Sequence, residues 1–525
     1  MKIVGTHLYH DGGIAVAVDG ELVRCVEASK GNGRRYAHLT EMSLGQLYSA
    51  ALMQESGPPD VLAVGGYLAL PAGGYSGVSH EECETWSLNI GNTHVDGFTT
   101  THERAHIFCS YALSDIPQGE PCYALVYEGL IGALYRIDEK CNITRLHAPM
   151  TEPGHRYAAL FELADPSFPD DSQGLSMGTA GKLMALASRR EGRPLDAAER
   201  ELTRQLLELD SQDGGRWNVV VPKKQLRELP FWNVGHLDER FREFATRFQD
   251  AIFDKFHAVA TQCCRERLPL IISGGCGLNC HWNSRWRDSG LFRDVFVPPC
   301  ADDSGIAVGV AADAQHRYTG NAKLRWSVYC GEPFEWDVPV PEDTFASFEF
   351  DPQHLSGLLC EGAVVAWVQG RYELGPRALG NRSLLAAPFD KAMTDRLNWI
   401  KHRESYRPVA PVCLEEEVSR WFDWTGPSPH MLYFQKVTCD RLAAVTHDDA
   451  SARVQTVSEA QNSQLYRLLR QFSQRTGVGV LCNTSLNFPG RGFINRMSDL
   501  LKYVIDRQIE VMVVDDRVFV RRKPS

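Results

Sequence analysis

QGRYELGPRALGNRSLLAAPFDKAMTDRLNWIKHRESYRP, residues 369–408, follows the apolar run AVVAWV of residues 363–368. Such a run reads as a buried strand. After it come Arg371, Arg377, Arg382, Lys401, Arg403 and Arg407, interleaved with Gly370, Gly375 and Gly380. Glycine lets backbone N–H groups approach a ligand closely. The planar guanidinium fork matches the oxygens of a phosphate or carboxylate. The competing reading is a solvated charged face, but that would use Lys and Glu at helical spacing. Cations beside glycines at the end of a strand favour a compact anion site.

Matching pieces recur downstream. Ser428-Pro429-His430-Met431 and Thr446-His447-Asp448 carry polar groups, and the segment Ser451–Val457 holds Arg453. The apolar strand Val478–Leu481 ends in Cys482-Asn483-Thr484-Ser485-Leu486-Asn487, and polar residues just past a strand end are where open α/β sheets hold ligands. GRYELGPRALGNRS, KHRESYRPVAP, ARVQT and LCNTSLN together resemble the signatures of the O-carbamoyltransferases of the nodulation and antibiotic-tailoring family. The resemblance covers nearly the whole chain and is densest in its C-terminal half. It implies an α/β protein of two parts. The N-terminal part, residues 1–330, would be a duplicated actin-like (ribonuclease-H-like) ATPase domain, similar to the ATP- and metal-binding subunit of tRNA threonylcarbamoyl transferases. The C-terminal part, residues 345–525, would be a YrdC-like α/β domain that takes carbamoyl phosphate. Arg377, Lys401, Arg407, Arg453, Asn483 and Ser485 are then expected to line the carbamoyl-phosphate pocket, with His430 or His447 close by.

A chain of 525 residues is too long for one ordinary core and suggests two or three domains. Its 43% hydrophobic and 23% charged content are those of a soluble globular protein, and no apolar run reaches membrane-spanning length. Met1–Gly5 enters a strand pattern directly and lacks the layout of a secretory signal. The 15 Cys, an odd number without a CxxC pair, read as reduced core thiols of a cytosolic protein, with neither disulfides nor a zinc module. A net charge of −11 argues against broad nucleic-acid affinity and leaves room for a local basic pocket. Neither a nucleic acid nor a membrane is expected as a partner.

The N-terminal part shows a weak internal repeat. Strands are expected over Lys2–Leu8, Ile14–Val18 and Glu21–Val26, with Asp19-Gly20 as a hairpin turn. Tyr123–Val126, the Glu128-Gly129 turn, Ile131–Ile137 and the turn at Asp138-Glu139-Lys140 repeat that order. Two unrelated hairpins fit the pattern as well as a duplication does; the resemblance favours the duplication. A helix begins at Thr101, and His102 and His106, four apart, share one of its faces. Such a pair serves either as metal ligands or as half-buried structural histidines. The family pattern places a metal on two such His, a strand-end Asp and an Asp of a DxG motif. Here that implies His102, His106, Glu128 and Asp303, with Glu128 in place of the usual Asp, so the extra methylene leaves the metal geometry open.

The nucleotide is expected against the strand Leu268–Ile272 and its glycine turn, at Gly274, Gly275 and Asn279, with Asp303 and Lys182. Strand, glycine loop and helix are how phosphates are usually seated, although Lys182 read by itself is a surface lysine at a helix start. Residues 191–245 read as a polar helical insertion, Ile306–Ala314 as a small-residue helix, and 318–341 as a linker.

The expected activity is that of an ATP-dependent O-carbamoyltransferase. Carbamoyl phosphate and ATP give carbamoyl adenylate, and the carbamoyl group passes to a hydroxyl of a small-molecule natural product such as an antibiotic, sugar or polyketide. The cofactors implied are ATP and a divalent metal, Fe2+, with Mg2+ as a further candidate. An acceptor hydroxyl needs a base or a metal to become a nucleophile, and His10 and Asp11 are the candidates; a structural hydrogen bond in the turn is the other role open to His10. Three other activities fit parts of the pattern. Transfer to tRNA is disfavoured by the acidic balance. Hydrogenase-type carbamoylation is disfavoured by the missing acylphosphatase and CxxC modules. The last is a non-catalytic binder of carbamoyl compounds.

Overall fold

Asp19 and Gly20 both take positive φ, 47° and 78°, the geometry of the two-residue turn whose twist matches paired strands. A computed structural model of the chain describes residues 1–31, 33–39, 57–66, 68–69, 75–76, 83–90, 93–173, 176–187, 193–208 and 222–522. The turn joins β2 (Gly13–Val18) to β3 (Glu21–Glu27), and β1 (Lys2–His7) lies antiparallel on the other side of β2. Adding β4 (Val61–Gly65), β5 (Glu84–Ile90) and β6 (Thr93–Thr100) gives the order β3-β2-β1-β4-β6-β5, with β4 parallel to both β1 and β6. The short helix α1 (Ala28–Gly31) continues from β3, and α2 (His102–Leu113) follows β6. Val4, Ile14 and Val16 form the apolar face of this sheet.

Residue contacts divide the chain into two units, residues 1–113 with 303–525, and residues 114–302. The second unit carries β7 (Cys122–Tyr127), β8 (Gly132–Ile137), β9 (Ile143–His147), β10 (Leu270–Ser273) and β11 (Val295–Phe296), in the order β9-β8-β7-β10-β11. The first three of these strands are antiparallel, and β10 runs parallel to β7. Both sheets therefore share one arrangement, an antiparallel meander whose first strand takes a later parallel neighbour. Around it lie α3 (Pro153–Ala164), α4 (Met177–Ala187), α5 (Glu239–Cys263) and α6 (Cys280–Asp288). Within the stretch 191–245 a helix spans Ala197–Glu208, and residues 209–221 lie outside the described residues.

In the first unit, α7 (Ile306–Thr319) runs past Ala314 and stops at Gly320, whose φ of 76° ends the helix. Residues 325–333 then form an extended strap. Leu22 N–H donates to the Arg325 carbonyl and Cys25 N–H to that of Cys330, at 2.8 and 2.7 Å. On the other edge Gly331 N–H and Tyr372 N–H bond across to the Tyr372 and Glu332 carbonyls at 3.0 and 3.1 Å. The segment read as a linker thus joins β3 to the loop after residue 370 through backbone hydrogen bonds on both edges.

The remaining strands are β12 (Phe345–Glu349), β13 (Val365–Val368), β14 (Arg382–Ala386), β15 (Ala410–Leu414), β16 (Gln455–Val457), β17 (Val480–Ser485), β18 (Val511–Val514) and β19 (Arg517–Arg521). They form one sheet in the order β12-β19-β18-β13-β14-β17-β15-β16. Val364, Ala366 and Val368 enter one apolar cluster and Val365 and Trp367 another. Both faces are covered, which is why AVVAWV carries no polar alternation. No described helix is long and apolar enough to cross a membrane.

Candidate functional site

Thr101 starts α2: its hydroxyl accepts from Arg104 N–H at 3.1 Å, an N-cap that fixes where the helix begins. His102 and His106 follow on one face, both buried, with ring centroids 4.7 Å apart and planes at 88°. Asp303 sits in the tight turn Asp303–Gly305 that leads into α7. The two helices approach closely because a Cβ on Gly309 would run into the Ala105 carbonyl; only glycine admits that crossing. The approach brings His106 Nε2 to 3.4 Å from Asp303 Oδ1 and His102 Nε2 to 3.8 Å from Oδ2.

The turn after β1 adds further groups. His10 Nε2 lies 3.4 Å from Asp303 Oδ2, and its Nδ1 lies 3.6 Å from Asp11 Oδ2. Asp11 has φ 54°, a left-handed backbone that the short turn requires. His7, read in the sequence only as part of a strand, is fully buried with Nε2 4.0 Å from Asp303 and 3.1 Å from the His10 carbonyl. A polar side chain at the end of an otherwise apolar strand is the signal that could have found it. Burial would raise the Asp303 carboxyl, but the imidazoles of His102, His10 and His106 overcome it and hold the group well below the usual carboxylate range. Burial pushes His7 down to about 4 against the pull of Asp303. The donor atoms of His102, His106 and Asp303 lie within 4.8 Å of one another. Two imidazoles and an ionised buried carboxylate are a fitting donor set for a divalent metal.

Glu128 belongs to the second unit, buried just after β7, where its N–H donates to the Ile131 carbonyl at 2.8 Å and its carbonyl accepts from Gly154 N–H at 2.8 Å. Gly274 follows β10 with φ 89°, and a Cβ there would strike the Tyr127 carbonyl; Gly275 opens the 3-10 turn Gly275–Leu278. Asn279 caps α6, accepting from His281 and Trp282 N–H at 3.1 and 3.3 Å and donating to Gln249 at 3.1 Å. Its side chain is thus engaged in holding the turn. Lys182 on α4 lies over the Phe161 ring at 5.5 Å.

The C-terminal loop divides its cations into two kinds. Arg382 is fully buried and donates to the carbonyls of Gln369, Asn381 and Gly370 at 2.7, 2.8 and 2.9 Å and to Asn495. Arg371 donates to the Val23 carbonyl at 2.8 Å. These two brace backbone and leave the expected anion pocket to the others. Glu373 gathers the loop, one of its carboxylate oxygens accepting from Leu379, Asn381 and Arg382 N–H at 2.6, 3.1 and 3.2 Å.

The second kind converges. Lys401 ends α8 (Lys391–Lys401), where it meets the end of β17: its ammonium donates to the Ser485 carbonyl at 2.5 Å, to Ser485 Oγ at 3.2 Å, and to the Asn487 side chain. Burial, reinforced by Arg403, Arg407, Arg35 and Arg507, pushes the Lys401 ammonium well below its ordinary value. Burial, with Arg407 and Arg453, pushes Arg403 down to about 9. Burial also lowers Arg407, helped by Arg35 and Arg453 and opposed by Glu404, 4.0 Å away. The Arg453 Nε and Asn483 Oδ1 atoms are buried without a hydrogen-bond partner. Asn483 Nδ2 is held by the Ala378 carbonyl at 3.1 Å and Gln455 at 2.9 Å, which ties it to the half-buried Arg377 through the next residue. So many cations facing one another with so little counter-charge is costly unless an anion fills the space.

The expected histidines each have other partners as well. His447 Nδ1 lies 3.1 Å from Ser451 Oγ in a turn closed by Asp449. The ring of His430 lies 5.6 Å from that of Trp326, tilted by 35°, and burial pushes its imidazole down to about 4. Arg35, Arg403 and Arg507 were not among the expected pocket residues.

Comparison with known proteins bears on this arrangement. The family model for the carbamoyltransferase N-terminus matches residues 90–312 and that for the C-terminus matches residues 356–521. The chain is 42% identical, over 99% of both chains, to the 3'-hydroxymethylcephem-O-carbamoyltransferase of Amycolatopsis lactamdurans, and 43% identical, over 98% of both, to that of Streptomyces clavuligerus. It is 31% identical to Nodulation protein U of Bradyrhizobium diazoefficiens, over 94% of this chain and 93% of that one. Among solved structures, the activator of the 2-hydroxyisocaproyl-CoA dehydratase from Clostridium difficile with bound ADPNP matches 61% of this chain and 98% of its own, with 12% identity and a TM-score of 0.35, too low to carry weight. Full-length identity at this level, with both family models in order, makes the chain a transferase of the carbamoyltransferase family, one of the O-carbamoyltransferases of the nodulation and antibiotic-tailoring group.

Proposed function

We propose that the protein takes its carbamoyl group from carbamoyl phosphate, activates it with ATP as carbamoyl adenylate, and transfers it to the hydroxyl of a small-molecule natural product. The observation that carries this reading is the group of Lys401, Arg403, Arg407 and Arg453, the lysine buried and the arginines half-buried, together with the unpartnered Asn483 Oδ1. The guanidinium groups suit a phosphate, and the free amide oxygen suits the NH2 of a carbamoyl group, so one ligand answers both. In this reading the residues from 345 onward are the YrdC-like domain, with Arg377 and Ser485 completing the pocket and His430 and His447 at its margin.

The N-terminal residues take the second half of the reaction. The repeated sheet order of the two N-terminal sheets supports the actin-like reading, with Gly274, Gly275, Asn279, Lys182 and Asp303 for ATP. His102, His106 and Asp303 would hold a divalent metal, with Glu128 as the fourth ligand and Fe2+ as the ion. When bound, such an ion supplies Lewis-acid stabilisation of developing negative charge. His10, oriented by Asp11, takes the proton from the acceptor hydroxyl. The likeness to the two cephem enzymes supports an alcohol on a β-lactam or comparable natural product as the acceptor class. Incubation with 3'-hydroxymethylcephem, carbamoyl phosphate and ATP tests the reading: a carbamoylated product with pyrophosphate and phosphate release is expected. Release of neither ion from the two donors, across a panel of alcohols, would overturn it.

A further inference from the structure

A cavity of about 500 Å3 is lined by Gly33, Arg34, Arg35, Pro489, Gly490 and Arg491. Its arginines come from two segments far apart in sequence, and the fold holds those segments together firmly. A Cβ on Gly492 would run into the Ser29 carbonyl, so the two backbones are in contact. Just before the arginines, Lys30 is buried and clamped: it donates to Glu27 at 2.7 Å and to the carbonyls of Glu373 and Gly375 at 2.6 and 2.8 Å. Its ammonium lies 5.0 Å from the Tyr372 ring centroid and 4.7 Å from that of Phe493. Segment 33–35 therefore springs from a fixed point on the same loop that carries Arg377.

The cavity also adjoins the inner cluster. Asn487 accepts from Lys401 through its side-chain oxygen and donates to the Arg491 carbonyl at 2.9 Å. One amide thus separates the cavity wall from the buried ammonium. Arg35 lies close enough to lower both Lys401 and Arg407. Gly33 and Gly490, both with φ 70°, keep the rim free of side chains between the arginines. In a chain of net charge −11, this is a local concentration of positive charge opening outward.

We propose that Arg34, Arg35 and Arg491 form an outer anion site, which captures the phosphate group of the donor before it moves in to Arg407 and Lys401 and through which inorganic phosphate departs. This rests on the reading of carbamoyl phosphate as donor. Arg34 and Arg35 then act from the N-terminal half on a substrate of the C-terminal half. Charge at a mouth raises the local concentration of an oppositely charged substrate and loses that effect as salt screens it.

The test uses the full-length protein with Arg34→Gln, Arg35→Gln and Arg491→Gln combined, measured for carbamoyl-phosphate consumption at low and high salt. At low salt kcat/KM for carbamoyl phosphate should fall about tenfold, with the loss in KM, and the variant and parent should converge at high salt. Calorimetric titration with inorganic phosphate should show weaker binding to the variant. An unchanged kcat/KM at low salt overturns the proposal. So does a loss carried by kcat, or one that appears in the KM for ATP. If neither protein consumes carbamoyl phosphate, the donor reading fails by itself, and the phosphate titration decides the outer site: weaker binding by the variant supports it, and equal binding overturns it.

Discussion

Arg407 presents a fork where a lysine would present a point charge, and the difference decides how a phosphate is held. Replacement by lysine keeps the charge and loses one of two parallel hydrogen bonds, about 1.5–3 kcal/mol for bonds to charged groups. The KM for carbamoyl phosphate in Arg407→Lys should rise about tenfold or more; steady-state kinetics checks this, and an unchanged KM would place the phosphate elsewhere. His102→Ala and His106→Ala should each lower the metal content of the purified protein, read by elemental analysis. Full metal content in both would make these residues core histidines only. The depressed His430 has a different consequence. The unfolded chain protonates this imidazole from about pH 6.5 downward, the folded chain only near 4. The unfolded state therefore binds more protons inside that window, so stability falls as the pH falls through it and is fully present above it. His430→Gln should flatten the loss of stability between about pH 6.5 and 4 by about 1–3 kcal/mol, measured by denaturant unfolding at several pH values.

At the scale of elements, the geometry of the proposed metal site depends on one helix crossing. Gly309 of α7 lies against the Ala105 carbonyl of α2, between His102 and His106 in sequence. Gly309→Val would force the helices apart at a cost of about 1–3 kcal/mol and move Asp303 away from both imidazoles. A lower melting temperature and reduced metal content are expected together; retention of both would show that the crossing does not set the site. The elements also show what was legible in the sequence. The i, i+4 pair could be read because a helix fixes the spacing of its own side chains, whereas Asp303 was reached only through the family resemblance. The β2–β3 turn could be read because Asp19-Gly20 fits few other conformations. Arg382 and Arg371 could not be told from pocket residues, because a guanidinium that binds a phosphate and one that braces carbonyls look alike in a string of letters. Arg35 and Arg507 were missed because only the folded chain sets residue 35 beside residues 401 and 407. The strap at 325–333 read as a linker because its hydrogen bonds go to strands and loops distant in sequence, and its own side chains show no period.

For the molecule as a whole, two unlike sites imply two separable chemistries. In the proposed reading the cluster around Arg407 takes an anion, and that around Asp303 a metal and the acceptor's proton. Arg407→Ala should abolish consumption of carbamoyl phosphate while ATP still binds. Asp303→Ala should leave carbamoyl-phosphate hydrolysis measurable and stop transfer to the alcohol. The most direct measurement supplies synthetic carbamoyl adenylate with an acceptor alcohol to both variants and follows the carbamoylated product by mass. The expected result is product from Arg407→Ala and none from Asp303→Ala. Product from neither variant, with both equally unable to turn over carbamoyl phosphate, would contradict the two-site account and require a single composite site.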